Sequence, residues 1–177
     1  MNIEEFNAHF PEKLIVSPTI NAKMWCLERD FIYITTPELG EKQIIVQQSF
    51  LTDFASVPIP IRSLIPKWGK YGRAAVIHDW LYYEGGDQAS KKFADKVLLE
   101  AMKISGVNWF IRTIIYKAVD WFGIFAWISN QVKRQHGKEK FDVSREKTFT
   151  YEYSPLWDRE LKKQIPDMWR QWKSKAN

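Results

Sequence analysis

The sequence predicts an α+β fold, with a small antiparallel β-sheet in the N-terminal half packed on a C-terminal helical bundle. Two observations carry this. Short runs rich in β-branched and aromatic residues, alternating apolar with polar, occupy residues 13–50. Apolar residues at helical spacing then fill residues 73–131, beyond a proline-studded irregular stretch at 51–72. Strands first and helices afterwards is the order of an α+β protein, not of an alternating α/β one. At 177 residues the chain reads as a single domain, residues 1–177, large enough to bury a substantial core.

In chain order, KMWCLERDFIYIT alternates around a charged Glu28-Arg29-Asp30 turn, which makes Trp25, Leu27, Phe31 and Tyr33 packing positions. Pro37-Glu38-Leu39-Gly40 is a turn signal, and KQIIVQQSF is a further strand, so three or four strands are expected. From Leu51 to Gly72, Pro58, Pro60 and Pro66 forbid continuous helix or a central strand. A loop that long inside a domain is either functional or well packed. Arg73–Tyr83 reads as one helix, stopped by Gly85-Gly86. Asp87 or Ser90 can cap a second helix running to about Ile104, before Gly106. A third covers Val107–Gln131, with a possible bend at Gly123. A polar stretch from Lys133 to Lys147 leads to a basic, Trp-bearing end, where Leu156–Trp157 and Trp169–Trp172 could clamp back onto the body.

Aromatics at 15% and charged residues at 27% are a folding composition rather than a disordered one. The net charge of +5 is localised: residues 1–130 carry 14 basic and 14 acidic side chains, whereas 131–177 carry 12 and 7. Such a tail can attract phosphates or an anionic membrane, or can simply be solvated. Nucleic acid is not the expected partner, because there is no zinc pattern, no glycine-rich phosphate loop and no helix with arginines clustered on one face. Cys26 is the single cysteine, which excludes an intrachain disulfide and a thiolate metal cluster. The start, MNIEEFNAHF, lacks the basic-then-apolar pattern of a signal peptide. The longest apolar segment contains Arg112, Lys117 and Asp120, which argues against a membrane span.

The chemistry concentrates in AAVIHDWLYYEGG. On a helix, His78 and Tyr82 share a face at i, i+4, and Asp79 points about 100° away. Asp95 lies on the next helix, in a row with Leu98, Leu99 and Met102, where a lone charge is costly. The short connection between the two helices would bring Asp95 to His78. A carboxylate on an imidazole fixes its tautomer and supports its charged form, as a general base requires. Asp53, at a strand end ahead of the proline-rich loop, could join Asp79 on a divalent cation such as Ca, Mg, Mn or Zn. Each residue also has an ordinary reading: Asp79 as a cap or a partner of Arg73, Tyr82 as a core aromatic, Asp53 as a turn former, Asp95 as a partner of Lys91 or Lys92.

The combination TDFASVP, WGKYGRAAVIHDWLY and ADKVLLEAM resembles the family called domain of unknown function 1353, over roughly Gln48 to Gly123. Its members are encoded largely by tailed phages and prophages, so the resemblance implies a phage or prophage origin and no activity. The run His78-Asp79-x-x-Tyr82 is also similar to the helix motif of secreted phospholipases A2. That similarity implies a water-activating role for His78, a calcium-holding role for Asp79, orientation of His78 by Asp95, and support from Tyr82. The flanking cysteines and the glycine-rich calcium loop of those enzymes are missing here, and Asp53 would replace carbonyl ligands with a carboxylate. The likeness is one of site logic, not of ancestry.

Two functional expectations follow. One is a phage-encoded, metal-assisted hydrolase of an ester, amide or phosphoester, with a lipid or cell-wall polymer among the substrates considered: His78, Asp95 and Tyr82 serve catalysis, and Asp53 and Asp79 hold the metal. The other is a non-catalytic virion or host-interaction protein in which the same cluster is a structural polar network, since aromatics and arginine favour interfaces. The expected location is the host cytoplasm or the virion.

Overall fold

The computed structural model describes residues 2–19, 24–54, 69–85, 90–135 and 140–141. The fold is α+β: small antiparallel sheets in the N-terminal part, followed by helices. The expected clamp by Leu156–Trp157 and Trp169–Trp172, most of the 51–72 loop, Gly86, Asp87 and most of the basic segment 132–177 lie outside the described residues.

The chain opens with a helix that the strand pattern does not announce, α1 (Ile3–His9). The Asn2 side chain caps it by accepting from the Glu4 amide (3.0 Å), and Glu4 and Glu5 complement the first turn. Its end is anchored at the sheet: His9 donates from Nδ1 to the Ile34 carbonyl (2.6 Å), and the Phe10 ring lies 4.8 Å from that of Tyr33.

Five strands follow: β1 (Val16–Pro18), β2 (Trp25–Leu27), β3 (Phe31–Ile34), β4 (Gln43–Val46) and β5 (Leu51–Thr52). They form two sheets, β1-β2-β5 and β3-β4, rather than the one expected sheet. The charged turn is where they part. A tight hairpin needs residues at positive φ, usually Gly or Asn, and Glu28-Arg29-Asp30 offers no glycine. The corner is tied to the far end of β4 instead. Asp30 Oδ1 accepts from the Gln48 amide (2.7 Å), and the Gln48 side chain donates to the Glu28 carbonyl (3.0 Å). Leu27, Phe31 and Tyr33 are buried as expected, and Trp25 is half-buried. Across β3-β4, Phe31 faces Val46 and Tyr33 faces Ile44, all four on the inner face.

The helices are α2 (Gly72–Glu84), α3 (Lys91–Ile104) and α4 (Trp109–Gln135). Gly85 ends α2 at φ +44°, and its amide returns to the Leu81 carbonyl (3.0 Å). The positive φ favours glycine there, and a Cβ would also displace the Gln131 side chain, whose Nε2 would stand 1.8 Å away and which donates to the Tyr82 carbonyl (3.1 Å). Ser90 caps α3 by accepting from the Phe93 amide (3.1 Å).

Between Ala74 and Tyr83, α2 has no solvent-facing side. Every residue from Ala74 to Tyr83 is buried, because α2 is the central element, packed by β4, α3 and α4. Its sequence is accordingly apolar around most of the circumference, with His78 and Asp79 as the buried polar exceptions. Phe50 joins the two halves: its ring meets Trp80 at 5.1 Å and Tyr83 at 5.8 Å. Lys140–Phe141 returns to the same corner, the Leu51 amide donating to the Lys140 carbonyl (2.7 Å). Glu100 of α3 staples the second sheet to the helices, accepting from Tyr33 OH (2.7 Å) and from the Thr36 amide and hydroxyl.

Candidate functional site

Asp95 is the hub. Its Oδ1 accepts from His78 Nε2 (3.0 Å) and from Tyr82 OH (2.7 Å), and its Oδ2 accepts from Lys91 Nζ (2.6 Å). The helices dictate this meeting. His78 and Tyr82 are one turn apart on α2, Lys91 and Asp95 one turn apart on α3, and the link between Gly85 and Ser90 lays α3 back along α2. The His78 and Tyr82 rings are 4.0 Å apart. The pair is buried: His78 is 1% exposed and Asp95 2%.

Burial pushes the Asp95 carboxyl up, but hydrogen bonds from His78, Lys91 and Tyr82 together outweigh it and hold it below its ordinary 3.8. Asp95 is therefore a carboxylate, which only accepts hydrogen bonds. Tyr82 is shifted far upward, by burial first and then by the Asp95 charge, so its hydroxyl remains a donor. The same logic fixes the imidazole. With an acceptor at Nε2, that nitrogen carries the proton, and in the neutral ring Nδ1 keeps the lone pair. His78 Nδ1 is buried and has no hydrogen-bond partner among the described residues. An unsatisfied buried polar atom costs about 1–3 kcal/mol, and such atoms call for a functional or solvent-based explanation.

Asp79 stands beside this network, 7% exposed, with its Oδ2 accepting from Thr52 Oγ1 (2.6 Å). The Thr52 hydroxyl also accepts from the Phe54 amide (3.2 Å), which ties the end of β5 to α2. Phe54 holds φ at +53°, a left-handed conformation that is uncommon for a bulky residue. Such conformations persist only where surrounding structure enforces them. Asp53 follows Thr52 directly and is exposed. The structure thus joins His78, Tyr82 and Asp95 by direct hydrogen bonds, whereas Asp79, the residue after His78, turns to Thr52 instead, and Asp53 is exposed. Among the described residues no group of three or more His, Cys, Asp or Glu side chains is arranged to hold a metal ion. A cavity of about 300 Å³ lies elsewhere, lined by Glu38, Lys42, Phe93 and Lys96 among others.

Sequence reasoning names the Lys91–Asp95 pair but not its burial, and misses the roles of Thr52 and Gly123. Lys91 reads as a surface partner for Asp95, yet it is largely buried and also donates to the α4 carbonyls of Val119 (3.3 Å) and Asp120 (3.2 Å). Its i, i+4 spacing to Asp95 was the available signal. Thr52 had none, since its partner lies 27 residues away. Gly123, read as a bend, sits within one continuous helix, where a Cβ would come within 2.5 Å of Tyr82 OH. It is the notch that admits the tyrosine.

Comparison with curated proteins and with solved structures found no match. Residues 25–119, more than half of the chain, match the family model described as Protein of unknown function (DUF1353). That span runs from β2 into α4 and contains every residue of the His78–Asp95 network together with Asp53, Thr52 and Asp79, and the chain belongs to this family.

Proposed function

We propose that the protein is a metal-assisted hydrolase in which His78 is the general base. The observation that carries this reading is the setting of the imidazole: Nε2 is held by Asp95, and the buried Nδ1 has no hydrogen-bond partner among the described residues. In a turnover, Nδ1 takes a proton from the attacking water while Asp95 holds the ring and stabilises the imidazolium. Tyr82 and Lys91 fix the carboxylate so that it does not rotate as charge builds.

Asp79, with Asp53, is the carboxylate side of a divalent cation site for Ca, Mg, Mn or Zn. The support is positional, since Thr52 binds Asp79 and precedes Asp53 in the chain. Hard cations take six or more oxygens, so the remaining donors would come from water, substrate or residues outside those described. When bound, such an ion polarises an ester, amide or phosphoester oxygen. A lipid or cell-wall polymer, and a phage origin, belong to this proposal.

The test is turnover of chromogenic ester, anilide and phosphodiester substrates by the full chain, with each cation and with EDTA. The expected result is cation-dependent hydrolysis that falls by about 10²–10⁴-fold in His78→Ala and is also lost in Asp79→Asn. Hydrolysis unchanged in both variants, or none by the folded protein with any cation, overturns the reading.

A second reading is favoured by the burial of the network. Here the protein is a non-catalytic virion or host-interaction component, and the cluster locks α2, α3 and α4 together. Metal content separates the two. A stoichiometric ion lost in Asp79→Ala supports the enzyme, and a metal-free protein whose variants merely unfold earlier supports the scaffold.

A further inference from the structure

Where the start of α3 meets the approach to β4, the surface opens into a cavity of about 300 Å³ whose lining includes Glu38, Lys42, Lys92, Phe93 and Lys96. Its walls are fixed. The Lys42 amide donates to the hydroxyl of the buried Thr35 (2.8 Å). Lys42 Nζ lies 4.6 Å from the centre of the Phe93 ring, an attraction that holds this ammonium against the α3 wall. Lys92 and Lys96 are one turn apart on α3 and share a face. All three lysines are exposed, so a ligand can reach them. Asp95, one residue before Lys96, points about 100° away and is buried, which separates this cavity from the His78 network.

Three cations therefore line one space without an answering charge. Among the described residues, Lys42, Lys92 and Lys96 have no acidic partner, and Glu38, the one acid in the lining, pairs with none of them. Like charges at i, i+4 repel, and a cation in the first turn of a helix opposes the helix dipole. Lys91, in the same turn, is matched by Asp95, but Lys92 has no such match. Proteins break local rules of this kind mainly at functional sites, and an anion in the cavity would relieve both conflicts. The charge count selects the anion. Three lysines and one glutamate leave a formal +2. A phosphate monoester carries up to about −2 near neutral pH and presents three terminal oxygens, one for each ammonium. A carboxylate or a phosphodiester carries a single charge and would leave a lysine unanswered. Lysine meets phosphate as a point charge, and the lining has no arginine to grip a carboxylate in bidentate fashion.

We propose that this cavity binds a doubly charged phosphate group, free or as the monoester of a small molecule, through Lys42, Lys92 and Lys96. The volume stands at the lower end of the range for small-molecule pockets, about 300–1,000 Å³, and leaves room beyond the phosphate for an organic part. The proposal does not depend on hydrolysis, and its test involves no turnover. Full-length protein is titrated calorimetrically with inorganic phosphate, ribose 5-phosphate and AMP, and with cyclic AMP as the diester.

The expected result is one phosphate or monoester bound per chain, weakened by salt, with cyclic AMP held at least about tenfold more weakly than AMP. The combined variant Lys92→Gln, Lys96→Gln lowers the affinity by about tenfold or more. Glu38→Gln, which removes the opposing charge, raises it, with circular dichroism unchanged in both. Inorganic phosphate bound as tightly as the esters assigns the site to the free ion, and tighter esters assign it to a phosphorylated small molecule. No binding by the folded protein overturns the proposal and leaves the lysines as a solvated face. Binding that the double variant retains in full overturns it too, as does cyclic AMP bound as tightly as AMP.

Discussion

His78 and Asp95, one on α2 and the other on α3, meet through Nε2 and Oδ1 at 3.0 Å with almost no exposure to water. Their pairing is the centre of a charged network, and Lys91 is its cation. Removing one partner of a buried pair leaves the other charge uncompensated, at a cost of about 3–5 kcal/mol. Asp95→Ala should therefore lose stability in that range. Lys91→Met should lose less, because its ammonium is nearer the surface. Urea unfolding of both single variants and the double variant measures the coupling.

Acid should expose the same network. The folded Asp95 carboxyl is held below its ordinary value, so its charge stabilises the fold above about pH 4, and that contribution disappears as pH falls through the lowered folded value. Urea midpoints followed downward from neutral pH should drop for the wild type below about pH 4. Asp95→Asn should begin lower and show a shallower decline. An equally steep decline in the variant would assign acid sensitivity to other carboxylates.

Gly123 and Tyr82 are expected to be coupled. A methyl group at 123 would stand 2.5 Å from the tyrosine hydroxyl, inside any tolerable contact. Overpacking of this kind costs about 1–3 kcal/mol. Gly123→Ala should destabilise accordingly, and Tyr82→Phe in that background should recover part of the loss by removing the clashing oxygen. Additive losses in a double-mutant cycle would show that the two do not share the space.

Thr52 tethers Asp79. Thr52→Val keeps the shape of the side chain and removes the donor, weakening a charge-assisted bond worth about 1.5–3 kcal/mol. Thermal unfolding should register a loss of that order. Thr52→Ser should restore most of it, because the hydroxyl returns.

Much of this was legible in the sequence, for identifiable reasons. Period-two alternation located Phe31 and Tyr33 on an inner face, and glycine and serine marked the end of α2 and the start of α3. The i, i+4 spacing of His78 and Tyr82 placed both on one side of α2, and an aspartate in the apolar row of α3 called for a buried partner. These are local properties, encoded by dihedral preference and helical geometry within a few residues.

What only the tertiary structure decided depends on residues far apart in the chain. The division into two sheets follows from the grip of Gln48 on Glu28 and Asp30, pairings that no local pattern encodes. The burial of α2 on all sides, the Thr52 tether and the notch at Gly123 arise where separate elements close on one another. A sequence states which side chains can share a face. Which faces meet, and whether water is left between them, is settled by packing the whole core at once.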